Sequence, residues 1–264
     1  MRVFISADME GTAGVAKLSE CDRDHPDWQE FRALMTAEVV AACDGARAAG
    51  ATEIVIKDAH ESGRNLILEQ LPPDAIIVRS WSGHPHSMMF GLERGFAAAI
   101  YTGYHDAAGT DNNPLAHSFT HRLFSLTING QVASEFLVNA YTAASLGVPS
   151  VFLSGDEGMA ARAHELIPAI ETATVSQGFG AATRARSPAA SRDLIREGVE
   201  RGIARRVECL PALPDHFEVE LRFTNPHDAY AGSFYPDVEY PAPRTLRFQR
   251  DNWFEVLRAL LFVK

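Results

Sequence analysis

The sequence predicts an α/β protein: a mostly parallel sheet with helices on both faces, followed by a smaller α+β C-terminal part. Two observations carry this. Short apolar runs alternate with amphipathic segments as far as Leu153, the pattern of strands buried on both faces. Past Ser176 the pattern changes to a small, polar stretch, an Arg-rich helix and strands of alternating polarity. The expected division is therefore 1–176, an α/β domain that carries the chemistry, and 177–264, an α+β region. At 264 residues, 46% of them hydrophobic, the chain can bury a full core without disulfides or structural metals.

The elements follow in order. Residues 2–7 are a short apolar run, read as the first strand, and Asp8-Met9-Glu10-Gly11 closes it. Residues 29–49 form an amphipathic helix with Phe31, Leu34, Met35, Val39 and Val40 on its apolar face, ended by Gly50. A second strand, 53–59, ends at His60, and a short helix over 65–71 is stopped by Pro72-Pro73. A third strand spans 75–79, a helix 87–94 and a fourth strand 97–103, with His105 just beyond. A long loop, 106–116, leads to His117; loops of this length are often functional. Residues 123–128 alternate as a strand, and Asn129-Gly130 marks a tight turn. A helix over 132–146 carries Glu135 in its first turn and is followed by a buried strand, 148–153. The later part supplies a helix at 189–206, strands at 217–223 and 245–248, and a closing helix to Val263 capped by Asp251.

Composition narrows the function. A net charge of -10 argues against a nucleic-acid partner. No apolar stretch reaches spanning length, so no membrane helix is expected. No secretory signal is visible, and Cys21, Cys43 and Cys209 are scattered without a C-x-x-C, as reduced and structurally incidental thiols of a cytoplasmic protein would be.

The chemistry gathers at strand ends. Asp8 and Glu10, at i and i+2 on extended chain, point the same way. Such a pair repels unless a cation or a proton lies between. Open α/β sheets bind ligands at the carboxyl ends of their strands. His60 and His105 occupy equivalent ends, and Glu135 can join them. Two imidazoles and three carboxylates are the ligand types of a di-zinc hydrolase, in which one carboxylate bridges the metals; the short Asp8 side chain suits that place. His117 is a further imidazole, free for acid–base work. Asp58 either orients a ligand or sits in the sheet. Alone, His60 or His105 would read as a hydrogen-bonded histidine and Glu135 as a favourable first-turn charge. Repetition at strand end after strand end singles out the set. His84 and His86 are reserve ligands, whereas His25, His121, His164, His216 and His227 are given no role.

Asp8-Met9-Glu10-Gly11-Thr12 is also similar to the D-x-D-G-T motif of haloacid-dehalogenase-type phosphatases, and Gly155-Asp156-Glu157 imitates their later acidic motif. Glu10 stands where the second Asp belongs, and only Lys57, inside a strand, could supply the required lysine. A metal phosphohydrolase and a structural metal site are therefore the competing readings.

In order along the chain come Ser-Ala-Asp-Met-Glu-Gly-Thr-Ala-Gly at 6–14, Lys-Asp-Ala-His-Glu-Ser at 57–62, Gly-Tyr-His at 103–105, Ala-His-Ser at 116–118, and Glu135 followed by Asn139-Ala140-Tyr141. Together these resemble the D-aminopeptidase family of dinuclear zinc peptidases. The resemblance implies two Zn2+ per chain, one held by Asp8, Glu10 and His60 and the other by Asp8, His105 and Glu135, with His117 as the catalytic histidine. It implies hydrolysis of the N-terminal amide bond of short peptides or amino-acid amides containing a D-residue; a different amide hydrolase on the same scaffold, acting on an L-peptide or hydrazide, is the variant reading. It further implies a homo-oligomer of two stacked five-membered rings with active sites facing an internal channel. The loop at 109–116 departs from the family pattern in being more polar and is expected to border the substrate, together with Thr12-Ala13 and 81–86.

Overall fold

The computed structural model describes residues 1–264, and two sheets organise it. The chain runs β1 (Arg2–Ala7), α1 (Leu18–Cys21), α2 (Trp28–Ala48), β2 (Glu53–Asp58), β3 (Ile76–Val78), β4 (Ala98–Tyr104), β5 (Leu123–Ile128), β6 (Gln131–Val132), α3 (Glu135–Ser145) and β7 (Ser150–Asp156). It continues with α4 (Glu157–Leu166), β8 (Glu171–Phe179), β9 (Ala182–Ala185), α5 (Pro188–Ala204), β10 (Phe217–Phe223), α6 (Pro226–Gly232), β11 (Glu239–Ala242), β12 (Thr245–Arg250) and α7 (Trp253–Val263).

The main sheet has the order β3-β2-β1-β4-β7-β8-β9 and is parallel except for β9, which returns antiparallel to β8. Its central strands are buried along almost their whole length, which explains their continuous apolar runs. The chain winds from β1 outward to β3 and then crosses to β4 on the other side of β1. That reversal makes the carboxyl end of the β1–β4 pair a topological switch point, where such sheets open a crevice. The second sheet, β11-β12-β10-β5-β6, is wholly antiparallel and buries one face against α3, α6 and α7. The mixed α/β class is as expected.

Several local expectations are corrected. The short helix over 65–71 is a single 3-10 turn, Leu68–Gln70, and the helix over 87–94 is another, Ser87–Met89, cut short before Gly91 at φ +107°. α3 begins at Glu135 because Ser134 caps it, its Oγ accepting from the Leu137 N–H, while Gln131 and Val132 pair with β5. α7 is capped by Asn252, not Asp251. The break expected at 176/177 falls inside β8, and the two sheets interleave in sequence. β8, β9 and α5 complete the main layer, whereas β5 and β6 belong to the second one and α3 packs between the two. Strand membership is fixed by pairing with β10 and β7, which local composition does not report.

Candidate metal centre

The centre is built where β1 ends against β4. The Asp8 N–H donates to the Thr102 carbonyl and the Gly11 N–H to the Gly103 carbonyl, each at 2.8 Å. The two backbones are too close for side chains: a Cβ on Gly11 would lie 1.9 Å from the Tyr104 carbonyl oxygen, and one on Gly103, at φ +69°, 2.2 Å from that of Asp8. Glycine at both places lets the Asp8–Glu10 turn sit beside His105. His60 enters from the end of β2. There Asp58 is the anchor, its carboxylate accepting from the Asn65 and Leu66 N–H groups and from the Asn65 amide, which also donates to the His60 carbonyl. Asp58 thus orients the His60 loop from behind. Glu135 enters from the first residue of α3, its Oε1 accepting from the Phe119 N–H at 2.6 Å. Phe119 holds a left-handed backbone, φ +62°, a strained conformation maintained beside the site.

The three imidazoles share one arrangement. His60 Nε2 donates to the Cys21 carbonyl, His105 Nδ1 to that of Asp106 and His117 Nδ1 to that of Leu115, each at 2.9 Å. A carbonyl only accepts, so each hydrogen-bonded nitrogen carries the proton, and the neutral ring turns its other lone pair to the carboxylates. His60 Nδ1 lies 2.9 Å from Glu10 Oε2 and 3.3 Å from Asp8 Oδ1. His105 Nε2 lies 3.6 Å from Asp8 Oδ2 and 3.8 Å from Glu135 Oε1. Asp8 therefore faces both histidines, one oxygen to each. Asp8 Oδ2, Glu10 Oε2 and His105 Nε2 are buried without a hydrogen-bond partner. Lone pairs facing lone pairs in a buried space call for a cation, and the distal carbonyl bonds are the supporting contacts that metal-bound histidines make. The donors fit a metal such as zinc: ligand atoms of Asp8, His105 and Glu135 lie within 4.8 Å of one another, as do those of Glu10 and His60.

Without a metal, this crowding shifts the titration of Asp8, Glu10 and the three histidines. Burial, then Glu10, pushes Asp8 up to about 8. Burial opposes ionisation of Glu10, but His60, with His105 and His117, holds it well below the ordinary carboxylate range. Burial likewise opposes charge on the rings, yet Glu10 and Asp8 raise His60 and Glu135 leads in raising His105 to about 9. His117 moves the other way, lowered by burial and then by His105. A bound cation would take the place of the protons that the raised Asp8, His60 and His105 retain.

His117 Nε2 lies 3.7 Å from Glu135 Oε1 and 4.0 Å from Glu10 Oε1, at the edge of the cluster. It stacks on His105, ring centroids 4.4 Å apart, and His121 stacks on its outer face at 4.3 Å. A cavity of about 770 Å³ opens over these residues. His121, Cys21 and Lys264, none of them expected to have a function, line it as well. The Cys21 thiol comes within 4.8 Å of donor atoms of Glu10 and His60. Trp81, Ser82, Gly83 and His84 form another wall, as expected for 81–86, but neither His84 nor His86 reaches the donor cluster.

The loop at 109–116 does not border the cavity, nor does Thr12-Ala13. Its asparagines turn inward: Asn112 donates to Asp106, and Asn113 to Asp156 and the Glu10 carbonyl. Its polarity serves buried hydrogen bonds. The phosphatase parts are absent too. Lys57 is buried with its ammonium on the Asp58 and Ser80 carbonyls, and Asp156 caps α4.

A D-aminopeptidase family model matches residues 1–262. The chain is 30% identical to the D-aminopeptidase of Bacillus subtilis (strain 168) over 264 residues, spanning 99% of this chain and 96% of that protein. Among solved structures it is similar to the Zn-dependent D-aminopeptidase DppA from Bacillus subtilis, described as a self-compartmentalizing protease. That match has a TM-score of 0.93 and 30% identity, covering 99% of this chain and 96% of the other.

Proposed function

Because the chain belongs to the D-aminopeptidase family, we propose that it is a dinuclear zinc aminopeptidase hydrolysing the N-terminal amide bond of short peptides or amino-acid amides that carry a D-residue. One observation carries the reading: three imidazoles, each with one nitrogen tied to a backbone carbonyl, aim their lone pairs at three buried carboxylates. Asp8, Glu10 and His60 would hold one zinc and Asp8, His105 and Glu135 the other, with Asp8 shared between them. Bound zinc supplies Lewis acidity, which polarises a carbonyl and acidifies water.

The chain's own groups supply the rest. His117 keeps an unprotonated Nε2 facing the centre, because burial and His105 lower its pKa and the Leu115 carbonyl holds its other proton in place. It takes a proton at Nε2 as the attack proceeds and returns it to the departing amine. Asp22 and Glu61 line the cavity outside the ligand set and are available to the substrate's free ammonium. The homologous enzyme's description as self-compartmentalizing supports a homo-oligomer for this chain, and we extend this to two stacked five-membered rings. Three unpaired, buried cysteines fit a cytoplasmic setting.

The test is hydrolysis of D- and L-alanine amide by the purified protein, with chelator and then with zinc restored. The expected outcome is release of ammonia from the D-amide alone, abolished by chelator and recovered with zinc. Chelator-insensitive turnover, or turnover of phosphate esters in place of amides, would overturn the proposal.

A further inference from the structure

The cavity over the metal centre is ringed by acids, Asp8, Glu10, Asp22, Glu61 and Glu135 among them, and its wall carries one lysine and one arginine, Lys264 and Arg122. The two cations differ in how far they are already engaged. Arg122 Nη1 contacts Asp228 Oδ1 at 3.2 Å, Nη2 donates to the Lys264 carbonyl at 2.8 Å and Nε reaches Thr120 Oγ1 at 3.4 Å. Its donors hold the fold, and one of them fixes the backbone of Lys264. The Lys264 ammonium has no such duties. It is half-buried and rests 4.4 Å from the centroid of the Phe119 ring, without a carboxylate at ion-pair distance. A half-buried ammonium in the wall of a substrate cavity, with no side-chain carboxylate at ion-pair distance, can receive an anion.

Position along the substrate identifies the anion. Phe119, under the ammonium, donates its N–H to Glu135, so Lys264 stands next to the part of the centre where Glu135 lies. Glu135 is close enough to oppose the lowering of the Lys264 pKa by burial, yet it lies beyond ion-pair distance. One further residue of an extended peptide spans about 3.6 Å. A dipeptide with its scissile carbonyl at the metal centre would extend its terminal carboxylate toward the cavity wall that holds Lys264. In a longer peptide or an amide, a neutral group would occupy that place.

We propose that Lys264 receives the C-terminal carboxylate of a dipeptide substrate and so selects dipeptides over amides and longer peptides. This rests on the aminopeptidase reading above, and the test separates the two. The probes are the phosphinate isostere of D-alanyl-D-alanine and its C-terminal carboxamide, titrated calorimetrically into the full-length, zinc-loaded protein. D-alanyl-D-alanine turnover is measured in parallel.

The carboxylate probe is expected to bind about tenfold or more tightly than the carboxamide. Lys264→Met, which keeps the stem over Phe119, should bring the ratio to within about twofold by weakening the carboxylate probe alone, and Lys264→Arg should preserve it. Equal binding of the two probes to the unaltered protein, equal weakening of both by Lys264→Met, or no binding of either would overturn the carboxylate site. Selective binding without any dipeptide turnover would leave the carboxylate site standing and overturn the hydrolase reading instead.

Discussion

Two buried polar clusters lie near the carboxyl edge of the main sheet, and they differ in one respect. In the first, Asp106 Oδ1 accepts from the Ala107 N–H and Arg162 Nε, and Oδ2 from Asn112. Asp156 Oδ1 accepts from the Met159 N–H, and Oδ2 from the Asp106 N–H and Asn113. Every carboxylate oxygen is occupied. In the second cluster Asp8 Oδ2 faces His105 Nε2 and Glu10 Oε2 faces His60 Nδ1, and Asp8 Oδ2, Glu10 Oε2 and His105 Nε2 have no hydrogen-bond partner. Both carboxylate pairs are buried and both sit at or just beyond strand ends, so neither burial nor position separates architecture from site. What separates them is whether the lone pairs are satisfied within the chain. A satisfied cluster needs nothing further, whereas convergent, unsatisfied donors are completed by an ion.

The sharpest way to break this comparison is at His117, at the edge of the unsatisfied cluster. His117→Ala should lower turnover by roughly 10²- to 10⁴-fold while zinc content is unchanged. Metal analysis beside kinetics checks it; parallel loss of zinc would make His117 a ligand. In the satisfied cluster the response should be of the opposite kind. Asp156→Ala removes the α4 cap and strands two further donors, an expected destabilisation of about 2–4 kcal/mol. Urea denaturation would measure it, and specific activity per folded molecule should hold.

The smallest effect concerns Glu38, whose Oε1 accepts from the Ala13 N–H while Oε2 is buried without a partner. No imidazole converges on it, so one unsatisfied oxygen alone does not make a site. Burial raises its pKa from 4.5 to about 7. Between those values the folded state holds more protons than the unfolded one, so stability falls as pH rises through that window. Glu38→Gln should remove this slope and stabilise the protein at pH 8, by on the order of 1–3 kcal/mol, with little gain at pH 4. Thermal melts at the two pH values decide it; an equal change at both would mean the carboxyl charge is not the cause.

Much of this was legible in sequence, for physical reasons that can be named. Asp8, Glu10, His60 and His105 follow apolar runs, and parallel strands bring such ends to one edge whatever the details of packing. Glu135 and His117 could be added to that set only as candidates, since a first-turn acid and a loop histidine carry no local mark, and the ordered motifs then gave them roles. The inward turn of Asn112 and Asn113 was not legible, because a polar loop reads alike whether it faces substrate or a buried aspartate. Nor was the interleaving of the sheets: β5 looks the same in sequence whether it pairs with β4 or with β10. Lys264 is brought over Phe119 only by the docking of α7, a contact between distant parts of the chain.

If the unsatisfied cluster is the two-metal site proposed above, the metal content of protein purified without chelator reads it out. Two zinc ions per chain, both lost in Asp8→Ala and both retained in Asp156→Ala, is the predicted result. Protein without stoichiometric metal, or a metal content indifferent to Asp8, would contradict it.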